Sequence, residues 1–588
     1  MNKLTDSMNV ENVINSALAY SLKVMEKGHS PFEKAIRTME VPACDAFLTL
    51  GTLAPVTFVP GTKVLEPNRE IADSFPNSIA ASENRILSAG DAMTAKVSRK
   101  RVAVLFSGGP AAGGHNVVTG LKQILGSDNT LLGVKAGPKG LLTGNMFEIT
   151  DEHVQQIMNT GGFNFMGSDR TKIEKPEDID KVKTVCREHG IDAIVIIGGD
   201  DSNTNAALLA EKLFSGVKED GSGVQVIGVP KTIDGDLQHG DELPISFGFD
   251  TATKIYAEEV GNILRDTASS LKYWHFIRLM GRSASHVTLE VALQTHPTIA
   301  LISEEVRECN ITLAEIVDSI ANTVIWRAKK GMNYGVVLVP EGLIEFIPGF
   351  TTMIDDLNDK MAQFKDELGG KNIREQLLFM YSKLTQSHGE LLESLPDSIK
   401  YKLMADRDEH GNLPVSQIET EIMLSDAVKA KIIELDATVK FASLNHFFGY
   451  EARCGASTVF DSSYTYNLGA TAGSLILDGR TGYMASMTDL DNGAKPLGIP
   501  IASLLDIEIR KGKPAKVIEK ALVKLDSPAF IYFESRRRLW AEHDLSNSPG
   551  PIQLWGPTSR QLPKTVALNR EYQSLDFKFN TALEGNLP

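Results

Sequence analysis

The chain has 588 residues and a formal net charge of −15, with 75 acidic against 60 basic side chains. That balance excludes a broad electrostatic footprint on nucleic acid or anionic membrane. A 42% hydrophobic and 23% charged composition is that of a globular protein, and the length exceeds one ordinary core, so two or three domains are expected.

Four cysteines, Cys44, Cys186, Cys309 and Cys454, show no C-x-x-C spacing, which favours a reducing compartment. None of the 12 histidines falls in an H-E-x-x-H arrangement, so nothing points to a protein-held zinc. The first ten residues lack a charged start leading to an apolar core and small-residue cleavage site. The expected location is cytoplasmic.

Residues 1–98 read as an extension with a helical pattern over 10–27. Its apolar stretch 48–65 is broken by Gly51, Pro55, Pro60 and Gly61, so it cannot span a membrane. Packing or oligomer contacts are its expected roles. Residues 99–349 alternate apolar runs (102–106, 131–135, 193–197, 224–229, 274–279, 299–302, 336–339) with helical patterns such as 203–214, 251–268 and 284–294. This alternation predicts an α/β core with mainly parallel sheets. Over 350–440 the strand-like runs give way to charged helical windows, as at 373–384 and 418–435, the mark of a helical insertion or cap. Residues 441–588 return to the α/β core near 482–487 and end in a tail rich in Pro, Asn and Ser.

Three turns carry candidate chemistry. S-G-G-P-A-A-G-G-H-N (Ser107 to Asn116) lies between a strand and a helix starting near His115, where Gly108 and Gly109 let backbone N–H groups approach a phosphate. His115 and Asn116 stand where a Walker loop needs Lys and Ser or Thr, so this is no ordinary P-loop. Taken alone it is as readily a tight connection.

A-I-V-I-I-G-G-D-D-S closes a strand with Asp200 and Asp201. One Asp there could be a helix cap; two adjacent carboxylates repel and favour a cation or an ammonium, for which Lys231 is the candidate. In V-I-G-V-P-K-T-I-D-G-D, Asp234 and Asp236 flank Gly235. Either suits a general base toward a sugar hydroxyl, the alternative being an Asx-turn. Arg282 in L-M-G-R and Arg453 in G-Y-E-A-R offer bidentate donors to phosphate, or ordinary surface ion pairs.

In this order S-G-G-P-A-A-G-G-H-N, G-G-D-D, P-K-T-I-D-G-D, M-G-R, P-E-G and G-Y-E-A-R resemble the phosphofructokinases, over about residues 101–453. The resemblance implies two Rossmann-like domains and transfer of a phosphoryl group to the 1-hydroxyl of fructose 6-phosphate. Asp201 and Lys231 resemble the pyrophosphate-dependent members of the long, plant-like type, where ATP-dependent bacterial enzymes usually carry glycine at both positions. A carboxylate at Asp201 would repel a nucleotide's α-phosphate, and Lys231 offers charge to a compact donor.

By the same resemblance Gly108 and Gly109 cradle pyrophosphate, Asp200 holds Mg2+, and Asp234 is the base. Thr232 and Ile233 line its turn, with Asp236 in support. Met280, Gly281, Arg282, Glu341, Tyr450, Glu451, Ala452 and Arg453 bind the sugar phosphate. Lys272 and Tyr273 match positions lent to a neighbouring subunit's site, which implies a homodimer. Ala112 and Ala452 depart from the family's usual Pro and Gly. The competing readings are the same enzyme using ATP and a non-catalytic regulatory subunit that binds sugar phosphates.

Overall fold

The computed structural model describes residues 30–94, 99–395, 397–405, 418–510, 513–550 and 562–573; the helix expected over 10–27 lies outside them. The strands that organise the chain are β1 Val56–Val64, β2 Arg85–Ala92, β3 Arg101–Ser107, β4 Thr130–Val134, β5 Met146–Glu148, β6 Ala193–Gly198, β7 Gln225–Thr232, β8 Trp274–Leu279, β9 Ile299–Ala300, β10 Gly335–Pro340, β11 Ser443–Phe448, β12 Tyr483–Thr488 and β13 Lys495–Pro500.

They form two sheets. The large one runs β1-β2-β13-β12-β7-β6-β3-β4-β5, and the small one β9-β10-β8-β11. The centre of the large sheet (β12, β7, β6, β3, β4) is parallel and both its flanks are antiparallel; the small sheet is parallel throughout. The predicted α/β architecture with mainly parallel sheets is therefore present. Parallel strands need cover on both faces, and β3 shows how this is met: Val102, Val104 and Phe106 face one hydrophobic layer, Ala103 and Leu105 the other.

In the small sheet, Ile277 and Leu279 of β8 belong to the same continuous core as Val102 and Val104, whereas Trp274 and Phe276 face a separate core. That separate core is capped by the described helices of 350–440, among them Phe350–Gln363, Ile373–Tyr381 and Thr420–Leu435. A buried ion pair, Arg278 to Glu421 at 2.8 Å, ties the last of these to β8.

Residues 30–92, within the segment read from the sequence as an extension, supply β1 and β2. Arg480 donates to the Phe58 carbonyl at 2.7 Å, and the Phe58 N–H donates to Asp478 at 3.1 Å. Among the described residues no helix is long and apolar enough to cross a membrane, and all four cysteines are unpaired.

The helix Val459–Leu477 is buried along its whole length and packs against the helix Gly114–Leu125. The approach is close enough that a Cβ on Gly120 would lie 1.9 Å from the Tyr466 carbonyl oxygen, and one on Gly469 2.1 Å from that of Val117. Because both obstacles are backbone, neither can give way. Gly469→Ala should therefore cost stability in the range of overpacked cores, about 1–3 kcal/mol or more, whereas Gly389→Ala, at a half-buried helix position with nothing within 4 Å, should be neutral or stabilise by about 0.5–1 kcal/mol. Denaturant unfolding of the two variants checks the contrast.

Candidate active site

The carboxyl ends of β3, β6 and β7, three adjacent parallel strands, bring their following turns to one rim, the usual place for ligands on such sheets. The carboxyl ends of β8, β10 and β11 bring Met280–Arg282, Glu341 and Tyr450–Arg453 to the facing rim. Arg453 joins the two: a Cβ on Gly109 would meet its Nη1 at 2.4 Å, and its Nε lies 3.3 Å from the Met280 sulfur.

The glycine turn is held from behind. The Gly108 N–H donates to the Asp169 carbonyl at 2.9 Å, and the Ser168 hydroxyl donates to the Gly108 carbonyl at 2.8 Å. Gly108 has φ +86°, a conformation that disfavours any side chain. His115 and Asn116 face the interior instead of a ligand. His115 is hydrogen-bonded to Thr160 at 2.8 Å, and Asn116 donates to Asn159 at 2.8 Å and to the Ser462 carbonyl at 3.0 Å. Burial holds His115 down at about 4, hence neutral. Both residues are part of the core, in keeping with the exclusion of a Walker loop.

In the second turn Gly199 is the helix cap and no side chain caps it, so neither Asp200 nor Asp201 serves as a cap. Asn203 donates to the carbonyls of Gly198 (2.7 Å) and Gly199 (2.9 Å), and Ser202 donates to Ser107 at 2.8 Å, locking this turn to the glycine turn. Asp201 is exposed, and its ammonium partner is Lys172 at 3.2 Å. Lys231, the partner expected from sequence, is instead buried among Asp234, Asp236 and Asp200. It comes from the last part of a strand between β6 and β12, whose neighbours bury it, whereas Asp201 is exposed.

The third turn is closed by the Asp234 N–H donating to Thr232 Oγ1 at 3.1 Å, not by an Asp side chain. Gly235 has φ +73° and packs against Phe249 and His286. Burial pushes the Asp234 carboxyl above the ordinary range, opposed by Lys231, Arg453 and Lys520; Asp236 is raised likewise by burial and by Asp234, and Asp200 by burial. Lys231 is pulled down to about 8, chiefly by burial. Pairs of titratable groups perturbed by desolvation and by one another, in a cleft, mark a functional site.

On the facing rim the Gly281 N–H donates to Glu341 at 3.0 Å, Ala452 is buried, Arg453 lies over the Tyr450 ring at 5.2 Å, and Arg282, Tyr450 and Glu451 are exposed. Lys272 and Tyr273 do not join this cluster. They precede β8 and so sit at its opposite end, about 20 Å away for six residues of strand. Tyr273 has φ +70° and carries Lys272 over its ring at 5.1 Å.

Two participants carried no sequence motif. Lys172 comes from the loop after Asp169, and Lys520 from beyond the last motif by more than sixty residues. Lys520 Nζ lies 3.5 Å from Asp236 and 3.9 Å from Asp200.

Comparison with known proteins agrees with this geometry. The phosphofructokinase family model matches residues 101–476. A pyrophosphate--fructose 6-phosphate 1-phosphotransferase of Porphyromonas gingivalis is 44% identical over 84% of this chain and 91% of its own length. One from Entamoeba histolytica is 45% identical over 80% and 87%, and a beta 2 subunit of the same activity from Arabidopsis thaliana is 43% identical over 85% and 87%. The crystal structure of a pyrophosphate-dependent phosphofructokinase from Marinobacter aquaeolei covers 82% of this chain and 98% of its own with a TM-score of 0.50 at 16% identity, a likeness of fold alone. With its family signature spread over both sheets and with relatives this similar over most of its length, the chain belongs to the phosphofructokinase family.

Proposed function

We propose that the protein transfers a phosphoryl group reversibly from pyrophosphate to the 1-hydroxyl of fructose 6-phosphate. The observation that carries this reading is the convergence of Lys231, Asp234 and Arg453 between two sheet rims, beside a glycine turn, in a chain 44–45% identical to enzymes named for that reaction. The sugar phosphate lies against Arg282, Glu341 and Arg453. Asp234 takes the proton of the attacking hydroxyl and returns it in the reverse direction. Lys231 and Arg453 meet the charge on the transferred group, and the backbone at Gly108 and Gly109 cradles the donor.

Mg2+ fits the donor side. Asp200 and Asp236 both approach one cation, the Lys520 ammonium, so their oxygens already converge on positive charge. Among the described residues no group of three or more His, Cys, Asp or Glu could hold a metal, and one or two carboxylates completed by phosphate oxygens is the usual way this ion is bound. Asp200, with Asp236 in support, would hold it. When bound it would neutralise phosphate charge during transfer.

Donor choice rests on Asp201 and Lys231. Asp201, exposed at the first turn of its helix and held by Lys172, places negative charge where a nucleotide's α-phosphate would approach. The protein should use pyrophosphate and show little activity with ATP in parallel assays. Asp201→Gly should relieve the block on ATP. Adding Lys231→Gly should lower the pyrophosphate rate by about 10²–10³-fold, as for loss of one preorganised donor. Preference for ATP by the unaltered chain would sink the reading.

The pH dependence has a sign on each side. Asp234 must be ionised, and its carboxyl is raised, so kcat/KM should fall with acid above the ordinary carboxylate range. Lys231 must be charged, and it is depressed to about 8, so kcat/KM should fall as pH rises through that value. Lys231→Arg, which keeps its charge at any such pH, should lose the alkaline limb. A flat profile from pH 7 to 10 in the unaltered chain would remove Lys231 from the mechanism.

A homodimer would complete the site. β11 pairs only with β8, leaving the other edge of the small sheet open among the described strands, and Leu271, Leu444, Phe447 and Tyr450 expose apolar surface beside it. A two-fold axis perpendicular to the strands at that edge would set the two β8 strands antiparallel and so bring one chain's Lys272 and Tyr273 toward the other's Gly281 and Arg282. Asp234→Ala should lose about 10²–10⁴-fold in turnover. Refolded together with inactive Tyr273→Ala chains it should regain activity, because one site of each mixed dimer carries neither lesion. No recovery from mixed dimers shown to form would return Tyr273 to its own chain.

A further inference from the structure

We infer that Lys520 is a cationic residue of the donor site that balances the charge of Asp200 and Asp236 while the site is empty and passes to the phosphate oxygens when Mg2+ and pyrophosphate enter. This rests on the reading of those two carboxylates as the metal side of the site.

The chain around Lys520 is built into the cleft. Upstream, the Ile518 N–H donates to Thr204 on the helix that begins with Asp200, at 3.2 Å. Downstream, the Ala521 N–H donates to the Asp236 carbonyl at 2.7 Å, while the Ala521 carbonyl is 2.8 Å from His286 Nε2. The Val523 N–H donates to Glu304 at 3.0 Å, and the same carboxylate accepts from the Ser285 N–H at 3.1 Å. The segment is thus fastened first to the donor rim and then to the facing rim, with Lys520 between its two donor-rim fastenings.

Its ammonium has three neighbours: Ser283 Oγ, to which it donates at 2.6 Å, Asp236 at 3.5 Å and Asp200 at 3.9 Å. The side chain keeps 31% of its exposure, so it is not sealed into the core. A fully extended surface lysine would gain little from one such pair. Here the backbone is fixed, and the partners are two carboxylates that burial already penalises for carrying charge.

A divalent ion arriving at Asp200 and Asp236 would repel the ammonium from the same oxygens. The incoming donor is the nearest anion able to receive it, and the flexible four-carbon stem allows the transfer without moving the fastened backbone. Contact with Ser283, the neighbour of Arg282, links that movement to the sugar rim.

The test separates competition from mere support. In Lys520→Met, calorimetric titration with Mg2+ alone should show tighter binding by several-fold, because a competing cation is gone, while kcat/KM for pyrophosphate should drop about 10²–10³-fold, as for one lost donor in the transition state. Lys520→Gln, which can still donate to Ser283, should behave in the same way, and Lys520→Arg should keep most of the pyrophosphate efficiency. Loss of structural support would instead weaken both Mg2+ and pyrophosphate. Mg2+ binding unchanged or weaker in both uncharged variants, or pyrophosphate efficiency within a few-fold of the unaltered chain in either, overturns the inference. Asp200→Asn is run alongside: if it leaves Mg2+ affinity intact, the metal assignment fails, and the pyrophosphate kinetics of the Lys520 variants still judge Lys520.

Discussion

A guanidinium laid against a glycine joins the two halves of this molecule. Arg453 occupies the volume a side chain at position 109 would take, so the donor turn and the sugar-side turn share a single layer of atoms. A β-carbon at Gly109 would displace the Arg453 guanidinium from its place between the two rims. Near-attack geometry tolerates little of that, since misplacement by an ångström costs rate heavily. The close helix pair behind the site, with its facing Gly120 and Gly469, serves the same end by fixing the core on which both rims stand.

Around that contact the protein collects charge at a cost. Asp200, Asp234, Asp236 and Lys231 are all pushed toward their neutral forms by burial. They hold one another in place only because opposite signs alternate in space. This is how an acidic chain handles an anionic substrate: the long-range field is repulsive, but screening confines it to about 10 Å at moderate salt, and within the cleft local cations decide. Removing any one cation leaves buried carboxylates with less compensation, so single substitutions here are expected to act on several groups at once.

The motif turns were legible because glycine and paired carboxylates after an apolar run have few other uses, and the strands before them followed from apolar runs of strand length. The helix Val459–Leu477 was not: it is buried on every side, so its Ser, Thr, Asn and Gly positions show no amphipathic period, and the hydroxyls of Thr465 and Thr471 bond back to the helix's own carbonyls. β1 was obscured by Pro60 and Gly61. It is an edge strand with a register shift after Pro60, where proline is tolerated. Lys172 and Lys520 had no signal at all, since a lysine's partner on another turn, 29 residues away for Lys172 and hundreds for Lys520, is set by topology.

That topology also sets a schedule. β7, which carries Lys231 and leads into Asp234 and Asp236, is paired at its Lys231–Thr232 end by Phe247–Gly248, but its Ile227–Gly228 stretch finds a second neighbour only in β12, about 250 residues later. At synthesis rates of about 5–20 residues per second, this stretch of β7 stays unpaired for roughly 10–50 s on the ribosome, an apolar segment open to the wrong partner. The residues between β7 and β12, which carry the small sheet and its helical cap, are therefore also a delay in completing the large sheet, and the yield of folded enzyme should depend on how well the nascent chain is shielded during that interval.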